Sequence, residues 1–293
     1  MKYFIDKSET LVLDKKARSM LPGKFIKLSD GVTHYEFAGP EHGELVILVG
    51  GLTVPLFYWD RLASLLHKAG YRTLAFSAYG RGYSDRLSVP YGDKLFVRQL
   101  DELIKALNIS TKNHILSASM GALIAMGYTK EHSESVSSLT IAGPAGLSRP
   151  PVLLRLIMRS NLIATLMAKT IGRKWLKSHE SNDLGDKTHE RELSAMLRDA
   201  FQYQGSVHAV FDTLQNFGLF NRQSLYRAVA EKSIPSLLIW GQDDQVTPID
   251  NIDDARHFLC PQRTHIVACG HMVPFERPEI VSSQFQSFLE SKI

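Results

Sequence analysis

The chain has 293 residues, enough for one large domain or two ordinary ones with a substantial buried core. Its 44% hydrophobic and 22% charged content is that of a soluble globular protein, and a scattered net charge of +4 gives no grip for nucleic acid. Cys260 and Cys269 form neither a disulfide framework nor a metal-ligand pattern, and no apolar run approaches the roughly 18 residues of a membrane span.

Residues 1–22 mix polar and apolar positions and end at Pro22-Gly23, so they read as a short helix or arm. The apolar region of a secretory signal is missing from them, and the expected location is the cytoplasm, with both thiols free. Residues 24–28 and 33–37 alternate in strand fashion around Ser29-Asp30-Gly31, a hairpin signal. The continuous apolar run 44–49 suits a strand covered on both faces. Helical spacing over 58–69 (Trp59, Leu62, Leu65, Leu66) ends at Gly70. A strand follows at 72–76, a helix at 95–107, a strand through Ile115-Leu116 leading into another helix, and a strand at 138–142. Strands alternating with helices imply a parallel sheet wound on both faces.

From about residue 146 the rhythm changes. No convincing strand appears for roughly 85 residues, while amphipathic helical segments follow one another. Alternation resumes with a strand at 235–240, a helix near 251–259, a strand at 264–268 and a closing helix at 276–289. The expected organisation is therefore a core in two parts, 1–145 and 233–293, with a helical cap, 146–232, inserted between them. No internal repeat or low-complexity tract interrupts the pattern.

One turn stands out. Ile115-Leu116 runs into Ser117-Ala118-Ser119-Met120-Gly121 and then into an apolar helix. A serine at the apex of a strand–turn–helix needs small neighbours two residues to either side, because strand and helix must approach closely there. Ser117, Ala118 and Gly121 meet that demand. The turn resembles the nucleophile elbow, G-x-S-x-G, of the α/β-hydrolase superfamily, with Ser117 in place of the first glycine. Two further segments carry the resemblance. Residues 240–248, Trp-Gly-Gln-Asp-Asp-Gln-Val-Thr-Pro, match the acid-bearing turn and put the acid at Asp244 rather than Asp243. Residues 269–278 match the histidine loop, with His271 directly after Gly270. Ser119, Asp244 and His271 stand in the chain order of that superfamily, each just past a predicted strand, where open α/β sheets place their sites.

The segment 46–55 is similar to the one that supplies an oxyanion donor, and 76–85 to the D-x-x-G-x-G-x-S segment. Gly50 stands where the superfamily usually has histidine, and Ser77 where it usually has aspartate. Neither departure touches the triad, and an oxyanion contact made by a backbone N–H can come from any residue but proline. By position the donors would be the N–H groups of Leu52 and Met120. The resemblance implies an α/β-hydrolase fold: a mostly parallel eight-stranded sheet, helices on both faces, and the inserted cap.

It also implies a chemistry. Ser119 attacks, His271 takes its proton, Asp244 holds the imidazole, and an acyl-enzyme forms that water releases. No metal or organic cofactor is required. A serine at the elbow argues against the branches that use a carboxylate nucleophile. The first reading is a serine esterase or lipase-like enzyme for a small to medium apolar carboxylic ester. C–C bond hydrolysis of vinylogous diketones uses the same triad under a helical cap, and a ligand-binding receptor on the same scaffold is the non-catalytic alternative. In the cap, Leu154, Met158, Leu162 and Leu166 are four apart, while Arg155 and Arg159 share another face, followed by Lys169, Arg173, Lys174 and Lys177. Some of the apolar set, with Leu153, Ile157, Ile163 and Met167, is expected to line an acyl pocket above Ser119. The same stretch leaves room for peripheral contact with an anionic membrane surface.

Overall fold

The computed structural model describes residues 1–150, 152, 154–155, 160–182, 184–185 and 187–291. Eight strands form one sheet: β1 (Lys24–Lys27), β2 (Val32–Ala38), β3 (Leu45–Val49), β4 (Arg72–Phe76), β5 (Asn113–Ala118), β6 (Val136–Ala142), β7 (Ser236–Gly241) and β8 (Arg263–Val267). Their order is β1-β2-β4-β3-β5-β6-β7-β8. The hairpin β1–β2 and the β2–β4 pair are antiparallel, and every other pair is parallel.

The central strands explain themselves. Every residue of β3, β5 and β7 is buried, as strands covered on both faces must be. Helices Asp60–Lys68 and Pro278–Glu290 pack together as one layer. Asp93–Ala106, Met120–Glu131, Gln223–Ala230 and Ile252–Leu259 pack together as another. The predicted helix over 58–69 opens as a 3-10 turn, Leu56–Trp59, before becoming α-helical at Asp60. The predicted closing helix, 276–289, forms as Pro278–Glu290 and is preceded by a short helix, Val273–Glu276. Proline disfavours helical backbone in the residue before it, and Arg277 sits at φ −136°, outside the helical region. Pro278 itself is well placed as the first residue of the second helix.

Between the parallel neighbours β6 and β7 the chain runs through helices Asn161–Asn182, Glu190–Ala200, Ser206–Asn216 and Gln223–Ala230, with no strand among the described residues. The first packs against the next two, and the last packs against Met120–Glu131 and Ile252–Leu259. Residues 1–12 are tied to this helical segment. The Leu11 backbone exchanges hydrogen bonds with Gln202 and Gln204 (3.0 and 2.9 Å). The buried Glu9 carboxylate accepts the N–H groups of Gly205 and Val207 at 2.9 and 2.6 Å. It thereby satisfies amides that open the Ser206–Asn216 helix, where no preceding turn can do so. Burial raises the Glu9 pKa in spite of those bonds.

Candidate active site

Parallel strands direct their carboxyl ends to one edge of the sheet, and the turns that follow β3, β5, β7 and β8 meet there. Ser119 follows β5 immediately and holds φ 54°, ψ −122°, a conformation that L-residues seldom adopt. Tight packing keeps it there. A Cβ on Gly121 would come within 2.2 Å of the Val49 carbonyl oxygen, so only glycine lets the helix Met120–Glu131 cross β3 this closely. Ser117 is turned away: its hydroxyl donates to the Thr140 carbonyl of β6 (3.2 Å), inside the sheet.

The turn after β7 is built around Asp244. Its Oδ1 accepts the N–H groups of Val246 and Thr247 at 2.9 and 2.8 Å. Its Oδ2 lies 2.8 Å from His271 Nδ1 and 2.8 Å from Thr247 Oγ1. The indole N–H of buried Trp240 fastens this turn by donating to the Thr247 carbonyl (2.8 Å). Asp243 is exposed and takes no part in the pair. A carboxylate only accepts hydrogen bonds, so the contact puts the imidazole proton on Nδ1 and leaves Nε2 with a lone pair. The His271–Asp244 pair is nearly closed to solvent, at 4% and 0% side-chain exposure. Buried Cys269, two residues earlier, has its thiol pushed up to about 12 by burial, which makes it an inert packing group rather than a competing nucleophile.

The loop after β3 lies against the elbow. A Cβ on Gly51 would stand 3.3 Å from that of Ser119. The N–H of Met120 opens its helix and has no intrahelical partner, and that of Leu52 meets no protein acceptor among the described residues. Two features that hold this loop were not anticipated from the sequence. Fully buried Arg81 donates from Nε to the Leu52 carbonyl (2.6 Å), from Nη1 to the Tyr79 carbonyl (2.9 Å) and from Nη2 to Thr213 Oγ1 (2.9 Å). Burial brings the Arg81 pKa down to about 10, which leaves it charged at neutral pH. Ser77, the departure noted above, accepts the Leu56 N–H (3.0 Å) and lies 3.1 Å from His34 Nδ1. An arginine framed by Gly80 and Gly82 was the only sequence signal available for the first.

Ser119 and His271 open on a cavity of about 440 Å³. Its remaining walls are mainly apolar: Leu52, Val54 and Tyr58 from the core, and Leu154, Met167, Ile171, Trp175, Phe211, Leu214, Leu219 and Phe220 from the chain between β6 and β7. No Lys, Arg, Asp or Glu lines it among the described residues. The apolar set named for the acyl pocket divides. Leu154 and Met167 do reach the cavity, but Leu162, Ile163 and Leu166 stand on the outer surface. Their places are taken by Phe211 and Leu214, which come from a helix 50 residues further on and were not flagged by spacing. Leu153, Ile157, Met158 and Arg159, and the side chain of Lys177, lie outside the described residues. No group of three or more His, Cys, Asp and Glu suited to a metal ion occurs among the described residues.

A family model for the alpha/beta hydrolase fold matches residues 44–278. Among curated proteins, the chain is 26% identical over 301 residues to a 2-hydroxy-6-oxo-6-(2'-aminophenyl)hexa-2,4-dienoic acid hydrolase of Metapseudomonas resinovorans, covering 96% of this chain and 95% of that one. It is 24% identical over 204 residues to monoacylglycerol lipase abhd6-B of Xenopus laevis, covering 67% and 60%. Among solved structures it is similar to the enol-lactonase from Burkholderia xenovorans LB400, with a TM-score of 0.77 at 19% identity, over 91% of this chain and 100% of that one.

Proposed function

The chain belongs to the α/β-hydrolase fold family, and from that premise we propose that it is a serine hydrolase of neutral, apolar carboxylic esters. Ser119 Oγ attacks the ester carbonyl carbon while His271 Nε2 takes the hydroxyl proton. Asp244 keeps the imidazole in the Nδ1–H tautomer and stabilises the imidazolium. The oxyanion of the tetrahedral intermediate is received by the N–H groups of Leu52 and Met120, each worth about 3–4 kcal/mol where such a donor has been removed. His271 passes its proton to the departing alkoxide, and the acyl group remains on Ser119. A water molecule, deprotonated by His271, then releases the acid. The helical segment between β6 and β7 serves as a cap that keeps bulk water from the acyl-enzyme.

The observation that carries the reading is the composition of the cavity wall. The relative from Metapseudomonas resinovorans is named for an acid substrate. A carboxylate entering this cavity would lose its water without meeting a cation among the described lining residues, which costs far more than the apolar contacts return. A neutral acyl chain meets no such penalty, and the lipase relative is named for substrates of that kind. The C–C hydrolase reading keeps the support of the longer alignment, so the test sets the two against each other. Purified protein is assayed with p-nitrophenyl octanoate and with a 2-hydroxy-6-oxo-dienoate. The ester should be turned over with the higher kcat/KM; the opposite ranking would overturn the proposal. Failure to label with a fluorophosphonate would instead favour a ligand-binding receptor.

A further inference from the structure

The helix Asn161–Asn182 is apolar on two opposite faces, and packing accounts for one. Ala164, Ala168 and Leu176 turn inward and are 4% exposed or less. Leu162, Ile163 and Leu166 point outward, Leu162 at 80% exposure and Leu166 at 61%. At 3.6 residues per turn these three fall within about 100° of arc, so they form a single patch.

The patch runs into the cavity. Met167 and Ile171 succeed Ile163 at four-residue spacing, both line the cavity wall, and Ile171 is also 44% exposed. Ile171 therefore stands at the rim where the inner wall meets the outer surface. The stretch of sequence that carries the patch is charged with one sign. Seven of the chain's 34 basic residues and none of its 30 acidic ones fall between Arg149 and His179, so the remainder of the chain carries net negative charge. Arg149, Arg155, Lys169 and Lys174 are all exposed.

We propose that this face docks on an anionic lipid surface and that a neutral ester passes from the surface into the cavity over Ile171. Exposed apolar side chains flanked by Lys and Arg enter the headgroup region while the cations meet lipid phosphates. A groove on a protein partner would need the apolar residues but gives no reason for a stretch of chain whose charges are all basic. No helix of the described residues is long and apolar enough to cross a membrane, so the contact is peripheral. The route for the ester rests on the hydrolase reading above; the docking does not.

The test uses the full chain and vesicles of phosphatidylcholine with and without phosphatidylglycerol, with binding read by sedimentation. The protein should bind the anionic vesicles, and Leu162→Glu/Leu166→Glu should weaken that binding about tenfold or more. Lys174→Gln should weaken it about fivefold, the worth of one cation near an anionic surface. High salt should act in the same direction. Neither leucine lines the cavity, so the double variant should keep its turnover of p-nitrophenyl butanoate while losing turnover of a monoacyl ester presented in anionic vesicles. Absence of vesicle binding, or equal binding by both proteins, would overturn the proposal. So would light scattering that finds a dimer abolished by the double variant without vesicle affinity, since a second copy would then cover the face. A protein that binds vesicles but hydrolyses no ester would refute the hydrolase reading and leave the docking surface standing.

Discussion

Arg81 Nε donates to the Leu52 carbonyl oxygen across 2.6 Å, which makes a fully buried guanidinium the backstop of the loop that carries Leu52, the proposed oxyanion donor. Holding the Leu52 carbonyl fixes the peptide plane that follows Leu52, and so restrains the residue whose own N–H is the proposed oxyanion donor. Arg81→Lys removes the fork that also reaches Tyr79 and Thr213 while keeping the charge. A misplacement of about 1 Å can cost on the order of 100-fold, so kcat should fall by about 10–100-fold. KM should change far less. A rise in KM with kcat intact would mean that the loop positions substrate rather than the developing charge.

Ser119 and Ser117 are two residues apart and have opposite surroundings, one opening on the cavity and the other bonded to Thr140 within the sheet. Ser119→Ala should abolish fluorophosphonate labelling and lower kcat by about 10⁴–10⁶-fold without unfolding the protein. Ser117→Ala should retain most activity. Equal losses would put the elbow in the wrong register.

Asp244 receives two backbone N–H groups at one oxygen and faces His271 with the other. An amide keeps the shape but offers its NH₂ group to one side, which favours the wrong imidazole tautomer. Asp244→Asn should cost on the order of 10⁴ in kcat, the loss known for that exchange in a serine protease. Asp243→Asn, at an exposed position, should be nearly silent. Steady-state kinetics of the two variants settles the ranking.

Acid should destabilise the fold through His34. Its Nε2 lies 3.0 Å from the Pro22 carbonyl oxygen, which can only accept, so the neutral ring carries its proton there and offers Nδ1 to the Ser77 hydroxyl. Burial holds the His34 pKa down to about 4. Below its ordinary value the unfolded chain binds a proton that the folded chain refuses. Stability is therefore complete above about pH 6.5 and is lost as pH falls from there towards 4, by on the order of 3 kcal/mol. His208, also held down to about 4 by burial, adds a similar loss over the same window. Burial raises the Asp60 pKa to about 7, which offsets part of the loss; urea unfolding at pH 7 and pH 5 should therefore show the parent losing about 2 kcal/mol more than His34→Gln over that interval. An equal loss in that variant would assign the acid sensitivity elsewhere.

Chain-length preference follows from the cavity wall. Each methylene removed from water is worth about 0.8 kcal/mol. At about 1.4 kcal/mol per factor of ten, kcat/KM should rise about fourfold per carbon along a p-nitrophenyl ester series until the cavity ends. Leu154→Asp, within the wall, should flatten that climb and spare the acetate. Leu162→Glu, outside it, should not. A series that peaks at acetate and ignores Leu154 would mean that the cap residues only cover the site.

The alternation of strands and helices was readable in the sequence because period-2 and period-3.6 burial leave marks on consecutive residues. The turns that carry Ser119, Asp244 and His271 were readable as well, since their small residues and prolines are local requirements of each turn. Tertiary structure decided what depends on distant parts of the chain meeting. Phe211 and Leu214 became cavity wall, and Leu162 and Leu166 outer surface, only once one helix was laid across another. Arg81 found Leu52 and Thr213, and Glu9 found Gly205 and Val207, by contacts spanning up to 198 residues. An apolar or charged residue in a helical pattern has the same local signature whether it faces a cavity, a neighbour or solvent. Which of these it meets is set by the packing of whole elements, and a linear pattern carries no record of that.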